Sequence, residues 1–267
     1  RMFVAPGVAC LLAPNASMMT GPGTNTWLLG DPPVAVLDPG PDIPSHVEAI
    51  LAAAPGLETV FVTHTHPDHS PAAATLKARS GARLVGRPAP RDGRQDERFV
   101  PDAIPARDEI FAAGKLRLRA IDTPGHASNH VCWLLEGDGL LFSGDHILEG
   151  VTPVIPVPDG DLAAYLEALE RLKRYPLRAI APGHGRVIAE PLREIDRVIA
   201  HRLAREAKVV AALGTRHSAT LDELLAQVYS DVPADRHFLA RLSLEAHLIK
   251  LERDGRAARD GIVWHAR

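Results

Sequence analysis

The stretch Thr63-His64-Thr65-His66-Pro67-Asp68-His69-Ser70 follows directly on the apolar run Val60-Phe61-Val62. It sets three imidazoles and a carboxylate side by side, a concentration of metal ligands that folding alone does not require. His64 and His66 are two apart, so in extended backbone leaving a strand their side chains point the same way and can grip one ion. Pro67 forces a turn, after which Asp68 and His69 face a second position close to the first. A histidine-rich surface loop is the plainer alternative. It leaves each His idle and gives no role to the partners that come later in the chain.

Those partners sit at the ends of three further apolar segments. Leu116 to Ile121 alternates apolar and basic residues and delivers Thr123-Pro124-Gly125-His126. Val131 to Leu135 turns through Gly137-Asp138-Gly139 into Leu140-Leu141-Phe142, which ends in Ser143-Gly144-Asp145-His146. Ala179-Ile180-Ala181 runs into Pro182-Gly183-His184-Gly185. Glycine and proline beside each ligand let backbone approach a shared centre closely. The candidate ligands are therefore His64, His66, Asp68, His69, His126, Asp145 and His184. Imidazole and carboxylate without cysteine suit zinc and tolerate manganese or iron, and seven ligands exceed one tetrahedral zinc, so two divalent ions are implied. Asp145 is the natural bridge between them, since Asp68 belongs to the opening cluster.

Around this set the chain reads as α/β. Phe3 to Leu12 is an opening strand, Pro14 to Gly23 a loop, and Thr26–Leu29 with Val34–Leu37 a hairpin about Gly30-Asp31-Pro32-Pro33. Asp42 to Ala54 reads as a helix, and a second follows the ligand cluster, capped by Ser70-Pro71 and closed by Gly81. Ala82 to Gly86 is a short strand. Arg87 to Arg107 reads as an exposed loop whose arginines alternate with Asp92, Asp96 and Glu97, a solvated face rather than a wall for an acidic substrate. Asp161 to Tyr175 is an amphipathic helix, and a longer one spans 191–213, closed by Gly214. Met18 and Met19, at a loop tip, are candidates for substrate contact, with packing over the loop as the plainer role.

The 267 residues, 46% apolar and 24% charged, suit one large domain with a small appendage. A formal charge of -3 argues against an overall attraction to nucleic acid. Cys10 and Cys132 each lie in an apolar stretch and read as buried small hydrophobes. No apolar run is long enough to span a bilayer and no secretory pattern opens the chain, so a soluble, cytoplasmic protein is expected. Arg1 before Met2 reads as an addition to the natural start.

From His217 the pattern changes to short helices, Leu221–Tyr229 and Asp235–Arg253, then a small hairpin ending near Val263-Trp264, so that residues 214–267 resemble a winged-helix module. Its basic and acidic residues nearly balance. A lid or wall on the active-site cleft, or a homodimer contact, is therefore favoured over reading DNA.

The ordered clusters resemble the metallo-β-lactamase superfamily, whose opening His-x-His-x-Asp-His is matched by His64 to His69. The resemblance implies a four-layer αββα sandwich over residues 1–213, followed by the winged-helix-like module. It assigns His64, His66 and His126 to one ion and Asp68, His69 and His184 to the other, with Asp145 bridging. The likeness is greater to the lactamase-beta-2-like branch, through Gly23-Thr24-Asn25-Thr26-Trp27-Leu28, His126 followed by His130, and His201-Arg202 with Arg205-Glu206. Some members of that branch cleave single-stranded RNA, and His146 departs from its pattern.

The expected reaction is hydrolysis. Two ions about 3.5 to 4 Å apart acidify a shared water and give a hydroxide nucleophile. Asp68 can accept a proton from that water, which makes Asp68 and Asp145 the candidate catalytic residues. Asn129 and His130 are candidate substrate contacts, with a supporting role for His130 as the alternative. Single-stranded RNA and a small ester or thioester are the competing substrates. A different class of reading makes the metal domain a ligand sensor beside a nucleic-acid-binding module.

Overall fold

The computed structural model describes residues 2–267, with side chains from residue 4 onward, so Arg1 lies outside the described residues. Strands β1 (Met2–Ala5), β2 (Val8–Leu12), β3 (Asn25–Gly30) and β4 (Pro33–Leu37) form an antiparallel run. The expected opening strand is thus a hairpin, broken where Gly7 turns at φ 71. Helix α1 (Pro44–Ala53), β5 (Thr59–Phe61), α2 (Ala72–Ser80) and β6 (Arg83–Val85) follow, with β5 and β6 added in parallel to complete a six-stranded sheet. Gly81 closes α2 in the left-handed conformation as expected, but Ser70 does not cap it: its hydroxyl donates to Asp96 instead.

The second sheet takes β7 (Ile110–Ala113), β8 (Leu116–Asp122), β9 (Val131–Leu135) and β10 (Leu140–Gly144), and after α3 (Leu162–Leu172) it gains β11 (Ala179–Pro182), parallel to β10. Alternation sorts the layers. On β3, Trp27 and Leu29 face the second sheet, where Leu118, Trp133 and Phe142 meet them; Leu28 between them faces α1 and α2. On the far side Ile121, Cys132, Leu141 and Ile180 pack under Tyr165 and Leu169 of α3 and under Ile195 and Val198 of α4 (Pro191–Arg216). These are the four layers, helix, sheet, sheet and helix, of a mixed α/β fold.

Helix α4 continues past Gly214 to Arg216 and ends where His217 takes a positive φ of 62. A boundary at 213/214 therefore falls within its last turn. Beyond it come β12 (Ser218–Thr220), α5 (Leu221–Val228), α6 (His237–Arg253), β13 (Ala257–Asp260) and β14 (Val263–Ala266), the strands forming a three-stranded sheet. Residues of α4 and α6 share a core with Trp264. Among the described residues no helix is long and apolar enough to cross a membrane.

Candidate metal centre

Residues that follow β5, β8, β10 and β11 come together in space. The side chains gather in two groups able to hold an ion each: His64, His66 and His126, and Asp68, His69, Asp145 and His184. In the first, the Nε2 atoms of His64 and His126 lie 3.0 and 2.9 Å from Nδ1 of His66. In the second, His184 Nε2 lies 3.1 Å from Asp68 and 3.3 Å from Asp145 Oδ1, and His69 Nε2 lies 3.4 Å from the same Oδ1. Asp145 faces both groups, since its Oδ2 is 3.8 Å from His126 Nε2.

Outer partners decide which nitrogen of each ring points inward. Nδ1 of His126 donates to the Val154 carbonyl at 2.7 Å, and Nδ1 of His184 to the Gly23 carbonyl at 3.1 Å. Nδ1 of His69 donates to Asp38 at 3.0 Å. Thr63 gives its hydroxyl proton to Asp38 and so accepts from Nδ1 of His64 at 3.0 Å. In the neutral form, each of these four rings therefore turns a bare Nε2 lone pair inward. His69 Nε2, His184 Nε2 and Asp145 Oδ1 are buried with no hydrogen-bond partner. Converging acceptors without donors are a cost unless a cation joins them, so the donor set fits divalent metal.

Electrostatics separates the groups. Burial pulls His64 well below its ordinary value, with the neighbouring imidazoles adding to it, and brings His66 down to about 3. Burial also lowers His126. In the other group burial acts the same way but is outweighed. Asp68 and Asp145 hold His69 well above its ordinary value, and Asp145 holds His184 at about 9. Without an ion, protons there balance the carboxylates that a cation would balance.

Glycine makes the close approach feasible. A Cβ on Gly183 would stand 2.6 Å from His69 Cε1 and 2.8 Å from Asp145 Oδ1. The turn around Gly183 is clamped from the other sheet: the Asn25 amide donates to the Gly183 carbonyl at 2.8 Å, and its side chain to the carbonyls of Pro182 and Gly185 at 3.0 and 2.9 Å.

A cavity of about 560 Å³ opens onto the ligands, lined by His66, Asp68, His126 and Asp145 and by Met19, Pro41, Val154, Pro156 and Leu242. Met19, an expected substrate contact, is part of this wall. Met18, its neighbour on the turn from Ser17 to Gly21, is exposed and does not line the cavity. Asn129 and His130, the other expected substrate contacts, do not line this cavity. The loop from Thr123 closes on itself, with the Thr123 amide donating to the His130 carbonyl, and turns both side chains inward. Asn129 donates to Thr65 Oγ1 at 2.6 Å, and His130 stacks on His64 with ring centres 4.9 Å apart.

The sequence reading missed Asp38. Wholly buried at φ 51, it accepts from the Thr63 amide at 2.7 Å, from the Thr63 hydroxyl at 2.8 Å and from His69. Its signal was present: Asp38-Pro39-Gly40 repeats the pattern of a strand end carrying a ligand-type residue beside proline and glycine. Gln95 was also missed. It accepts from Thr65 at 2.7 Å and donates to Asp159 at 2.8 Å, so the loop read as solvated supports the ligand turn.

Residues 19–184 match the metallo-beta-lactamase superfamily. The chain belongs to that superfamily. Residues 220–264 match the beta-lactamase associated winged helix domain. A "Beta-lactamase-like protein 2 homolog" of Drosophila melanogaster is 32% identical over 264 residues, covering 92% of this chain and 88% of its own. The thioesterase pkgB of Emericella nidulans is 33% identical over 211 residues, covering 77% of this chain and 58% of its own length. A metallo-beta-lactamase family protein of Thermus thermophilus, 24% identical, superposes with a TM-score of 0.83 over 98% of this chain and 99% of that one. This metallo-β-lactamase-fold protein is a hydrolase, and its two His/Asp groups are the candidate divalent-metal sites.

Proposed function

We propose that the chain hydrolyses a carboxylic ester or thioester using two divalent ions, with zinc favoured by the ligand chemistry and iron or manganese compatible with it. His64, His66 and His126 would hold one ion, Asp68, His69 and His184 the other, and Asp145, with one oxygen toward each group, would bridge them. When bound, such a pair acidifies a water and polarises the carbonyl under attack. The protein's own part is to hold the donors and shape the cavity. Asp68, whose side chain is 27% exposed against 14% for Asp145, 6% for His184 and 0% for His69, would take a proton from the attacking water. Met19, Val154, Pro156 and Leu242 would give the acyl group an apolar seat, beside Asn15, Ser17 and Thr20 on the same wall.

The observation that carries the choice of substrate is the composition of that wall: among the described residues, no lysine or arginine lines it. A phosphodiester chain needs cations along its path, whereas an acyl ester needs an apolar seat. The winged-helix module supports the same choice. Its α6 turns Leu242 into the cavity, and four of its basic residues are engaged with acids: Arg241 with Asp222, Lys250 and Arg256 with Glu206, and Arg253 with Asp161. The thioesterase label of the Emericella relative points the same way.

The test is a panel on metal-loaded protein: acyl thioesters, aryl esters, a lactone, bis-p-nitrophenyl phosphate, short single-stranded RNA and a chromogenic β-lactam. Turnover is expected for thioesters and esters above all others. Cleavage of RNA with inert acyl substrates would overturn the reading.

A further inference from the structure

One face of α4 holds four consecutive residues of the segment that passes over the metal centre. The Gly150 amide donates to Glu194 at 3.0 Å. Arg197 donates to the Val151 carbonyl at 2.8 Å, and Thr152 pairs with His201 at 3.2 Å. Arg202 donates to the Pro153 carbonyl. The holding residues are spaced three, four and one apart, which places them along one side of a helix. The very next residue, Val154, offers the carbonyl that fixes Nδ1 of His126 and a side chain that lines the cavity.

Arg202 is the costly member of this row. It is 3% exposed, its Nε has no partner, and no carboxylate pairs with it among the described residues. Besides Pro153 it meets the Tyr165 ring, with the guanidinium carbon 5.6 Å from the ring centre. A buried charge without a counter-charge costs several kcal/mol, and an apolar side chain of similar volume is often neutral or better for stability. Stability alone does not account for an arginine there. Its two contacts do, because both lead to the metal ligands. Tyr165 donates its hydroxyl to the His146 carbonyl at 2.8 Å, next to Asp145, and packs so closely on Gly125 that a Cβ there would stand 2.4 Å from Tyr165 Cα.

We propose that Arg202, with Arg197 and His201, is a positioning residue that fixes residues 150–154 and through the Val154 carbonyl sets the orientation of His126 toward its ion. The proposal rests on the two-ion reading of the site. Loss of the anchor frees the Val154 carbonyl, so His126 can turn or change tautomer. The ion held by His64, His66 and His126 weakens while the other keeps its ligands.

The experiment titrates cobalt(II) alone into metal-free protein and follows the visible absorption and the stoichiometry, alongside thermal melting of the metal-free form. The wild type is expected to bind two ions. Arg202→Met is expected to melt within a few degrees of wild type and to lose about 10- to 100-fold in affinity for one ion only, the range for removing a partner that orients a ligand. Arg202→Lys, which keeps one donor for Pro153, should fall between. Equal weakening of both ions with a lowered metal-free melting point overturns the proposal, as does unchanged affinity. If Arg202→Met does not fold, Arg197→Ala, at a half-exposed position, decides: weaker binding of one ion supports the proposal and an unaltered spectrum and affinity overturn it. Fewer than two ions on the wild type overturns the functional reading itself.

Discussion

At the scale of single residues, the site depends as much on what orients the imidazoles as on the imidazoles. Asp38 touches no proposed ion position, yet it is the acceptor for His69 and, through Thr63, indirectly for His64. Asp38→Asn keeps the volume and one acceptor but presents an amide N–H to a neighbour that also needs to donate. We expect about 10- to 100-fold weaker metal binding, measured by competition with a chromogenic chelator. Gly183→Ala gives a sharper result. The added methyl would meet His69 and Asp145 well inside contact distance, so at least one ion per chain should be lost by elemental analysis while the far-ultraviolet circular dichroism stays native.

The same scale explains what was legible. All seven proposed ligands were readable because each is an imidazole or carboxylate at the end of an apolar segment, and a side chain is written in the sequence. The Val154 and Gly23 carbonyls that orient His126 and His184 were not. Every residue has a carbonyl, and which one meets a ring is settled by tertiary packing. The burial of Asn129 and His130 was not legible for a related reason: nearness in sequence to His126 says nothing about which way a closing loop turns them.

At the scale of elements, periodicity located the helices and most strands to within a few residues. It missed β7, where Ile110-Phe111-Ala112-Ala113 carries too little alternation to stand out, and it ended α4 at Gly214, although one exposed glycine costs a helix only about 1 kcal/mol. Helix α3 offers a test of capping. Asp161 accepts from the amides of Ala163 and Ala164 and pairs with Arg253 of α6. Burial pushes its carboxyl up, but these hydrogen bonds and Arg253 outweigh it and hold it below the usual carboxylate range. Asp161→Ala should cost about 1 kcal/mol at neutral pH. Since the folded pKa is depressed, that contribution is present above the unfolded value near 4 and is lost as pH falls through the folded one. The gap in melting temperature between variant and wild type should therefore be full at pH 7 and close in acid. A gap independent of pH contradicts the assignment.

At the scale of the molecule, α4 joins what the sequence divides. Its Ile195 and Val198 belong to the core under the second sheet, and its Val209, Ala212 and Leu213 to the core of the carboxyl-terminal module, while Ala246 of α6 reaches back into the former. Arg205 and Lys208 of the same helix pair with Asp231, and Glu206 with Lys250 and Arg256. Cores that share a helix melt together, so calorimetry should record one cooperative transition. Two separable transitions would show the module to be an independent unit. Chelation should lower that single melting temperature by several degrees, because ions that bind only the folded state stabilise it by mass action.

The position of the ligands in the chain has a consequence for how the protein is made. His64 to His69 leave the ribosome well before His184, and they belong to the first sheet while His126, Asp145 and His184 belong to the second. A nascent chain up to residue 69 already offers the three clustered histidines His64, His66 and His69 to any passing ion, yet neither completed group exists until both sheets have docked. Metal captured early would hold an incomplete site. Loading after release is the route this topology favours, with the centre acting as a seal on a finished sandwich rather than a nucleus for it.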